Sequence, residues 1–514
     1  FQQLWKRLNV SNDAFIRTTD PAHKKIVQRY LQHLFDKKLL YRDSYTGWYC
    51  TFDERFWTEK DVPDGLCPDC KRPVERLSEH NYFFKMGQYQ DRLIDHINSH
   101  ADFVRPESRR NEVLGFLENQ KLGDLSISRP KSRLSWGIEL PFDNEYVTYV
   151  WFDALVNYLS ALEYKLPSPS VDRYWPASVD LVGKDILTTH AVYWSTMLMA
   201  LDLPLPETIF AHGWWTVDGE KMSKSRGNVV DPFAMADKYG VYAFRYFLLR
   251  EVPFGQDGDF SESALVGRIN SDLANGLGNL LSRTLTLIEK YCDGVVPEHS
   301  LTSNSETERK LTVAGNEAFT LADIEIENLD FSRALERIWQ LVRAADQYLE
   351  FYSPWTLAKD PSKRKLLDSV LYRSADSLRL LSLVVYPFMP STGEAISQQL
   401  GIKRDFQSPI TVEERQWNNL PSGTRIKKGA PLFPRIEIKP GTYSVTGNEA
   451  TLSISPGVKP VTETPPPSSS TPPHTATTAQ PATAPAMSVP AQITIEDFMK
   501  IQLKTAKVLS AERV

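Results

Sequence analysis

Apolar residues recur every three to four positions through much of the stretch from residue 242 to 385. The runs over 242–249, 262–290, 307–326, 331–351 and 365–385 predict amphipathic helices joined by short loops, an all-helical bundle. The same period marks 21–40 through Ile26, Val27, Tyr30, Leu31 and Leu34, with Asp20-Pro21 as cap and first-turn proline. His23 precedes two lysines, Lys24 and Lys25, and is expected at the surface. Helical spacing returns over 82–118, where Arg105-Pro106-Glu107-Ser108-Arg109 marks a helix entry.

Between these stretches the pattern alternates. Strand-like runs at 146–150 and 179–183 are each followed by a helical run, 151–162 and then through 201, before a third strand at 208–212. Strands alternating with helices predict a parallel, doubly wound α/β sheet, whose ligands sit at the carboxyl ends of the strands. Trp151 and Gly183-Lys184-Asp185 fall at such ends. On the first helix Trp151, Ala154 and Tyr158 share a face; on the second, His190 and Trp194 do. Such stripes are ordinarily core, but these start at the ligand edge. An aromatic pocket with one polar group suits a thioether, since sulfur–aromatic contacts contribute ~0.3 to 1.5 kcal/mol.

Periodicity is already under way at Phe1, Leu4, Trp5 and Leu8, with no initiator Met or cap before them, and a further periodic run is cut at Val514. A chain shortened at both ends is expected. Residues 461–491 are mostly Pro, Ser, Thr and Ala with the single acid Glu463, too polar for a core, so a disordered linker is expected over 457–491. The length of 514 residues allows about three domains. A net charge of -5 confines any nucleic-acid site to a local patch. No apolar run is long enough to cross a membrane and no secretory pattern opens the chain, so a cytoplasmic location is expected.

Three of the four cysteines cluster. Cys50 and Asp53 on one knuckle, with Cys67 and Cys70 on another thirteen residues further on, could place four ligands around one structural Zn2+. Pro68 and Pro73 frame a tight turn rather than the helix start that activates a redox thiol. Cys292 stands apart and reads as a small half-buried apolar residue. Asn279 and Arg283 share a helical face, and Trp355 follows Pro354 at a helix entry; alone, these are a solvated polar pair and a half-buried anchor.

The densest chemistry lies in Asp218-Gly219-Glu220-Lys221-Met222-Ser223-Lys224-Ser225-Arg226-Gly227-Asn228. Its cations, hydroxyls and glycines suit phosphate, though any isolated string of this kind is more often a surface turn. The strand before it and Val229-Val230-Asp231-Pro232 after it change that balance, and the loop resembles the K-M-S-K-S signature of class I aminoacyl-tRNA synthetases. The H-I-G-H signature of their first nucleotide-binding half does not occur. With Val150-Trp151-Phe152-Asp153-Ala154 and Gly183-Lys184-Asp185, the chain resembles the methionyl-tRNA synthetase family over nearly its whole length.

The resemblance implies a Rossmann-like catalytic domain interrupted by a zinc-knuckle insertion, followed by an anticodon-binding bundle. The boundaries expected are 1–45 and 136–260 for the catalytic halves, 46–135 for the insertion, 261–456 for the bundle and 492–514 for the start of an OB-fold tRNA-binding module. It implies Lys224 and Lys221 as catalytic, and Gly183, Asp185, Lys221, Met222, Ser223, Lys224 and Ser225 as ATP-binding, with Mg2+ on the nucleotide. Trp151, Ala154, Tyr158, His190 and Trp194 would hold L-methionine, while Asn279, Arg283 and Trp355 would read the anticodon of tRNA(Met). The activity implied is ATP-dependent methionine–tRNA ligation, with the chain inactive alone for want of H-I-G-H. Homodimerisation is implied through the C-terminal module when complete. Another class I synthetase, or a non-catalytic tRNA-binding fragment, is the alternative.

Overall fold

The structure is a computed structural model that describes residues 1–52, 55–57, 59–222, 227–300 and 305–437. Asp53, Ser223, Lys224 and Ser225, the expected linker at 457–491 and the expected OB-fold start at 492–514 lie outside the described residues.

A parallel sheet of three strands, in the order Val104–Arg105, Ile209–His212, Asp180–Gly183, forms the centre of the catalytic region. Phe210 pairs with Leu181 and with Arg105, so the two longer strands end level at Gly183 and His212. The strand at 104–105, inside the segment expected as an insertion, is therefore part of this sheet.

The strand expected at 146–150 is Asp143–Thr148, and it is not in the parallel sheet. It runs antiparallel to Ser128–Pro130 and Glu139–Leu140. The reason is connection length: two residues join 140 to 143, enough for a hairpin, whereas a parallel neighbour needs a crossover of a dozen or more. The helix that follows, Val150–Tyr164, packs instead on the helix Pro21–Asp36.

His23 is buried in that contact, contrary to the surface position expected from its neighbours Lys24 and Lys25. It shares the apolar face with Ile26, Val27, Leu31 and Leu34, and its Nδ1 lies 2.8 Å from Ser160 Oγ. Asp20 occupies the cap position without capping. Its Oδ2 accepts from Tyr164 Oη at 3.0 Å and pairs with Lys165 Nζ at 2.7 Å, tying the start of one helix to the end of the other.

A separate antiparallel sheet carries Cys50, with Cys67 and Cys70 on the connection that leads into its strand Glu75–Phe84. Leu40–Cys50 lies between Arg55–Trp57 and Glu75–Phe84, and Leu125–Ser126 completes the far edge. The expected helix after Gly183 is composite: a 3-10 turn at Lys184–Ile186, a π-helical segment at Thr189–Trp194 and an α-helix at Ser195–Ala200.

The bundle follows its periodicity closely, with helices at Val241–Arg250, Glu306–Glu327, Phe331–Tyr352 and Arg364–Val384. The run expected as one helix over 262–290 is Glu262–Arg268 and Asn279–Tyr291, joined through a π-helical segment at Ile269–Gly278. Arg364–Val384 is the central helix. It buries Arg373, Asp376 and Arg379, each paired, with Arg373 Nε 2.9 Å from Glu308 Oε1 and Arg379 Nε 2.6 Å from Asp376 Oδ1. Unpaired, such buried charges would be strongly destabilising.

Candidate active site

The carboxyl ends of the two longer parallel strands open onto one edge, where Gly183 and His212 stand side by side. A Cβ at Gly183 would lie 2.6 Å from Asp185 Oδ1, so glycine is what lets that carboxylate fold back over the strand end. Asp185 Oδ1 accepts from Trp214 Nε1 at 3.2 Å.

One wall of the site is aromatic. Tyr158 Oη is 2.8 Å from His190 Nε2, and the Tyr158 ring packs on those of His190 and Trp194, with centroids 5.6 and 5.9 Å away. His190 Nδ1 donates to the Ile186 carbonyl at 2.8 Å, which leaves Nε2 as acceptor for the tyrosine hydroxyl. Burial lowers the pKa of His190, so the imidazole is neutral near pH 7. The π-helical segment places His190 here, and such segments are frequent at functional sites. Trp151 and Ala154 are half-buried on the same helical face as Tyr158, two turns and one turn earlier.

Sequence reasoning missed Asp180, which begins the same strand as Gly183 and is 2% exposed. Burial pushes its carboxyl up to about 7, and Trp194's indole N–H partly offsets this. Neither Trp194 Nε1 nor Asp180 Oδ2 closes a hydrogen bond of normal geometry. An acid among apolar strand residues was the only signal, and burial cannot be read from one residue. Asp153, beside Trp151, is likewise raised to about 7 by burial.

The signature loop leaves a hairpin of Trp215–Val217 and Glu220–Lys221, with Thr216 opposite Lys221. Asp218 and Gly219 take φ of 53° and 74°, both positive, the requirement of a two-residue turn matched to strand twist. Asp259 Oδ1 anchors this turn, accepting from Gly219 N at 2.9 Å and Thr216 Oγ1 at 2.8 Å. Met222 is half-buried against the apolar core of the helical bundle.

The Sγ atoms of Cys50, Cys67 and Cys70 lie within 4.8 Å of one another, with Cys50 and Cys70 3.4 Å apart. Ligands ~2.3 Å from a tetrahedral Zn2+ stand about 3.8 Å apart, so the three thiols fit that ion. The turn is shaped by backbone bonds from Lys71 N to Cys67 O and from Cys67 N to Arg72 O, at 2.9 and 2.7 Å. Cys292 is buried elsewhere, its thiol pushed up to about 11 by burial and by Asp368.

In the bundle, Arg283 Nη1 and Nη2 pair with Asp346 Oδ1 and Glu350 Oε1 at 2.6 and 2.5 Å. Glu350 lies one turn before Ser353, whose φ of 43° ends the helix and starts the turn Pro354–Leu357. Trp355 in that turn is 39% exposed. Asn279 is exposed one helical turn before Arg283.

The family described as tRNA synthetases class I (M) matches residues 1–78 and 72–285, and the anticodon binding domain of methionyl tRNA ligase matches 296–440. The chain is 46% identical over 514 residues to methionine–tRNA ligase of Caldanaerobacter subterraneus subsp. tengcongensis, covering all of this chain and 75% of that protein. It is 40% identical over 531 aligned residues to the Bacillus subtilis methionine–tRNA ligase, with the same coverage. The crystal structure of Mycobacterium tuberculosis methionyl-tRNA synthetase bound by methionyl-adenylate superposes with a TM-score of 0.77 at 38% identity, covering 84% of this chain and 85% of that one. With both family regions matched in order along one chain and relatives this similar across all of it, the protein belongs to the methionyl-tRNA synthetase family of class I aminoacyl-tRNA synthetases.

Proposed function

We propose that this protein takes part in methionine–tRNA ligation, and that the contact carrying the reading is Tyr158–His190–Trp194 at the strand ends beside the Lys221 hairpin. A methionine side chain fits a wall of two rings and a neutral imidazole, because a thioether gains from ring contacts and asks for little hydrogen bonding. In the first step the methionine carboxylate attacks the α-phosphate of ATP, forming methionyl-adenylate as pyrophosphate leaves. In the second, the terminal ribose hydroxyl of tRNA attacks the methionyl carbonyl and AMP leaves.

Lys221 and Lys224 are assigned to phosphate, where cations stabilise the charge that develops during transfer. Mg2+ carried by ATP would share that neutralisation. Gly183 and Asp185, at the strand end, are assigned to the nucleotide side, with Met222, Ser223 and Ser225 on the loop. The thiols of Cys50, Cys67 and Cys70, with Asp53, are assigned to a structural Zn2+. Asn279, Arg283 and Trp355 are assigned to the anticodon, whose unstacked bases are recognised by aromatic stacking and by hydrogen bonds to their edges. No His-Ile-Gly-His string occurs in these 514 residues, and alone they are expected to bind tRNA without activating methionine. A cytoplasmic location and a dimer through a complete C-terminal module accompany this reading.

The decisive experiment compares binding of two tRNA transcripts, one with the anticodon CAU and one with that triplet changed, at one fixed salt concentration. A clear preference for CAU is expected. Equal affinity of a folded chain for both would remove the anticodon assignment.

A further inference from the structure

Trp214 lies where three parts of the candidate nucleotide site meet. It follows the strand Ile209–His212 and precedes the hairpin that leads into the signature loop. Gly213 before it is pressed against the segment 256–257, since a Cβ there would stand 2.2 Å from the Gln256 carbonyl oxygen. That contact brings Asp257 to Trp214, whose backbone N–H donates to Asp257 Oδ1 at 2.8 Å. The other carboxylate oxygen of Asp257 pairs with Lys184 Nζ at 2.5 Å.

The indole ring holds two ammonium groups. Lys184 Nζ is 4.1 Å from it and Lys221 Nζ 4.0 Å, while Nε1 donates to Asp185 as described. Of the two cations, Lys184 is neutralised by Asp257; Lys221 makes no ion pair among the described residues.

The difference has a physical consequence. A π-face attracts an exposed ammonium by ~0.5 to 1 kcal/mol without neutralising it, whereas a carboxylate would compete directly with phosphate for the same charge. An ammonium carries three N–H donors, so Lys221 can keep its contact with the ring while the others make charge-assisted bonds to phosphate. We propose that Trp214 is a positioning residue for the polyphosphate of Mg2+–ATP: its ring gathers Lys221 and Lys184, its indole N–H orients Asp185, and Lys221, still held against the ring, meets phosphate with its free N–H donors when ATP binds. This rests on the nucleotide-site reading above.

The test is a double-mutant cycle on the full chain, with MgATP affinity measured by calorimetry for the unaltered protein, Trp214→Leu, Lys221→Ala and the double variant. Methionine affinity serves as control. Trp214→Leu is expected to weaken MgATP about three- to tenfold and leave methionine unchanged. Trp214→Phe keeps a π-face and should recover most of the loss. In the Lys221→Ala background the Trp214→Leu effect should shrink, which a merely structural role would not produce. Should Trp214→Leu melt early, Trp214→Met provides bulk without a ring. Unchanged MgATP affinity, strictly additive losses, or equal loss from Phe and Leu would overturn the proposal. An unaltered, folded chain that takes up no MgATP at millimolar concentration would instead overturn the nucleotide-site reading, and the proposal with it.

Discussion

A tyrosine hydroxyl aimed at a neutral imidazole defines the pocket at the scale of single residues. Tyr158→Phe removes the donor to His190 Nε2 while keeping the ring. Methionine affinity should fall about five- to tenfold, the effect of losing a hydrogen bond of ~1 kcal/mol, with MgATP affinity unchanged. Calorimetric titration with methionine checks it; an equal loss for both ligands would mean that the helix had shifted. Asp180 supplies a pH prediction. Its folded pKa of about 7 exceeds the ordinary carboxylate value, so the folded state holds a proton more tightly than the unfolded state. Its burial is therefore destabilising above pH 7, and that effect is relieved as pH falls through 7 towards 4. His190 and His23 act oppositely, because burial lowers their pKa and stability is lost as pH drops below the unfolded value of ~6.5. Asp180→Asn should raise Tm by a few degrees at pH 8 and by much less at pH 5, as read by scanning calorimetry at both. Spacing alone suggested Tyr158, His190 and Trp194, because i to i+4 neighbours on a helix share a face. It placed His23 wrongly because two flanking lysines carry no information about the turn on which the imidazole points inward.

At the scale of elements, glycines decide which segments touch. Gly315 in Glu306–Glu327 lies under Trp417, where an added Cβ would stand 2.2 Å from ring atom Cζ2. Trp417 is itself held by its Nε1 bond to the Thr312 carbonyl at 3.2 Å and by the Arg373 guanidinium 3.9 Å from its ring. Gly315→Ala improves local helix propensity yet should destabilise by about 1 to 3 kcal/mol, since a fixed indole has nowhere to go. A rise in Tm would show that the 412–420 segment yields easily. Helix extents were legible to within a few residues because burial of one face imposes a 3.6-residue period on every helix of the bundle. The π-helical segments at 189–194 and 269–278 were not, since one extra residue per turn barely disturbs that period.

For the whole molecule, the cysteine cluster and the part of the bundle that carries Trp355 make separate predictions. Reduced protein prepared without chelator should contain about one zinc per chain, and its removal should lower Tm, because a structural zinc contributes directly to folding. Metal analysis that finds no zinc would dismiss the Cys50, Cys67, Cys70 and Asp53 set. Trp355→Ala should weaken tRNA(Met) binding by ~1 to 3 kcal/mol if a base stacks on its exposed face, while leaving methionine affinity unchanged. Filter binding at fixed salt is sufficient to measure this.

Local order along the chain was enough to foresee the helices, the two knuckles around Cys50 and Cys67 and the pairing of an α/β region with a helical bundle. Those features depend on residues a few positions apart, whose shared face or turn geometry is written in their spacing. Partners distant in sequence required the folded chain. Asp143–Thr148 turned out to be a hairpin strand rather than a parallel one, Val104–Arg105 joined the sheet from a segment read as insertion, and Asp257 met Lys184 across 73 positions. Periodicity states which face of an element is buried, but not against what; only tertiary packing, which buries all those faces at once, selects the partner.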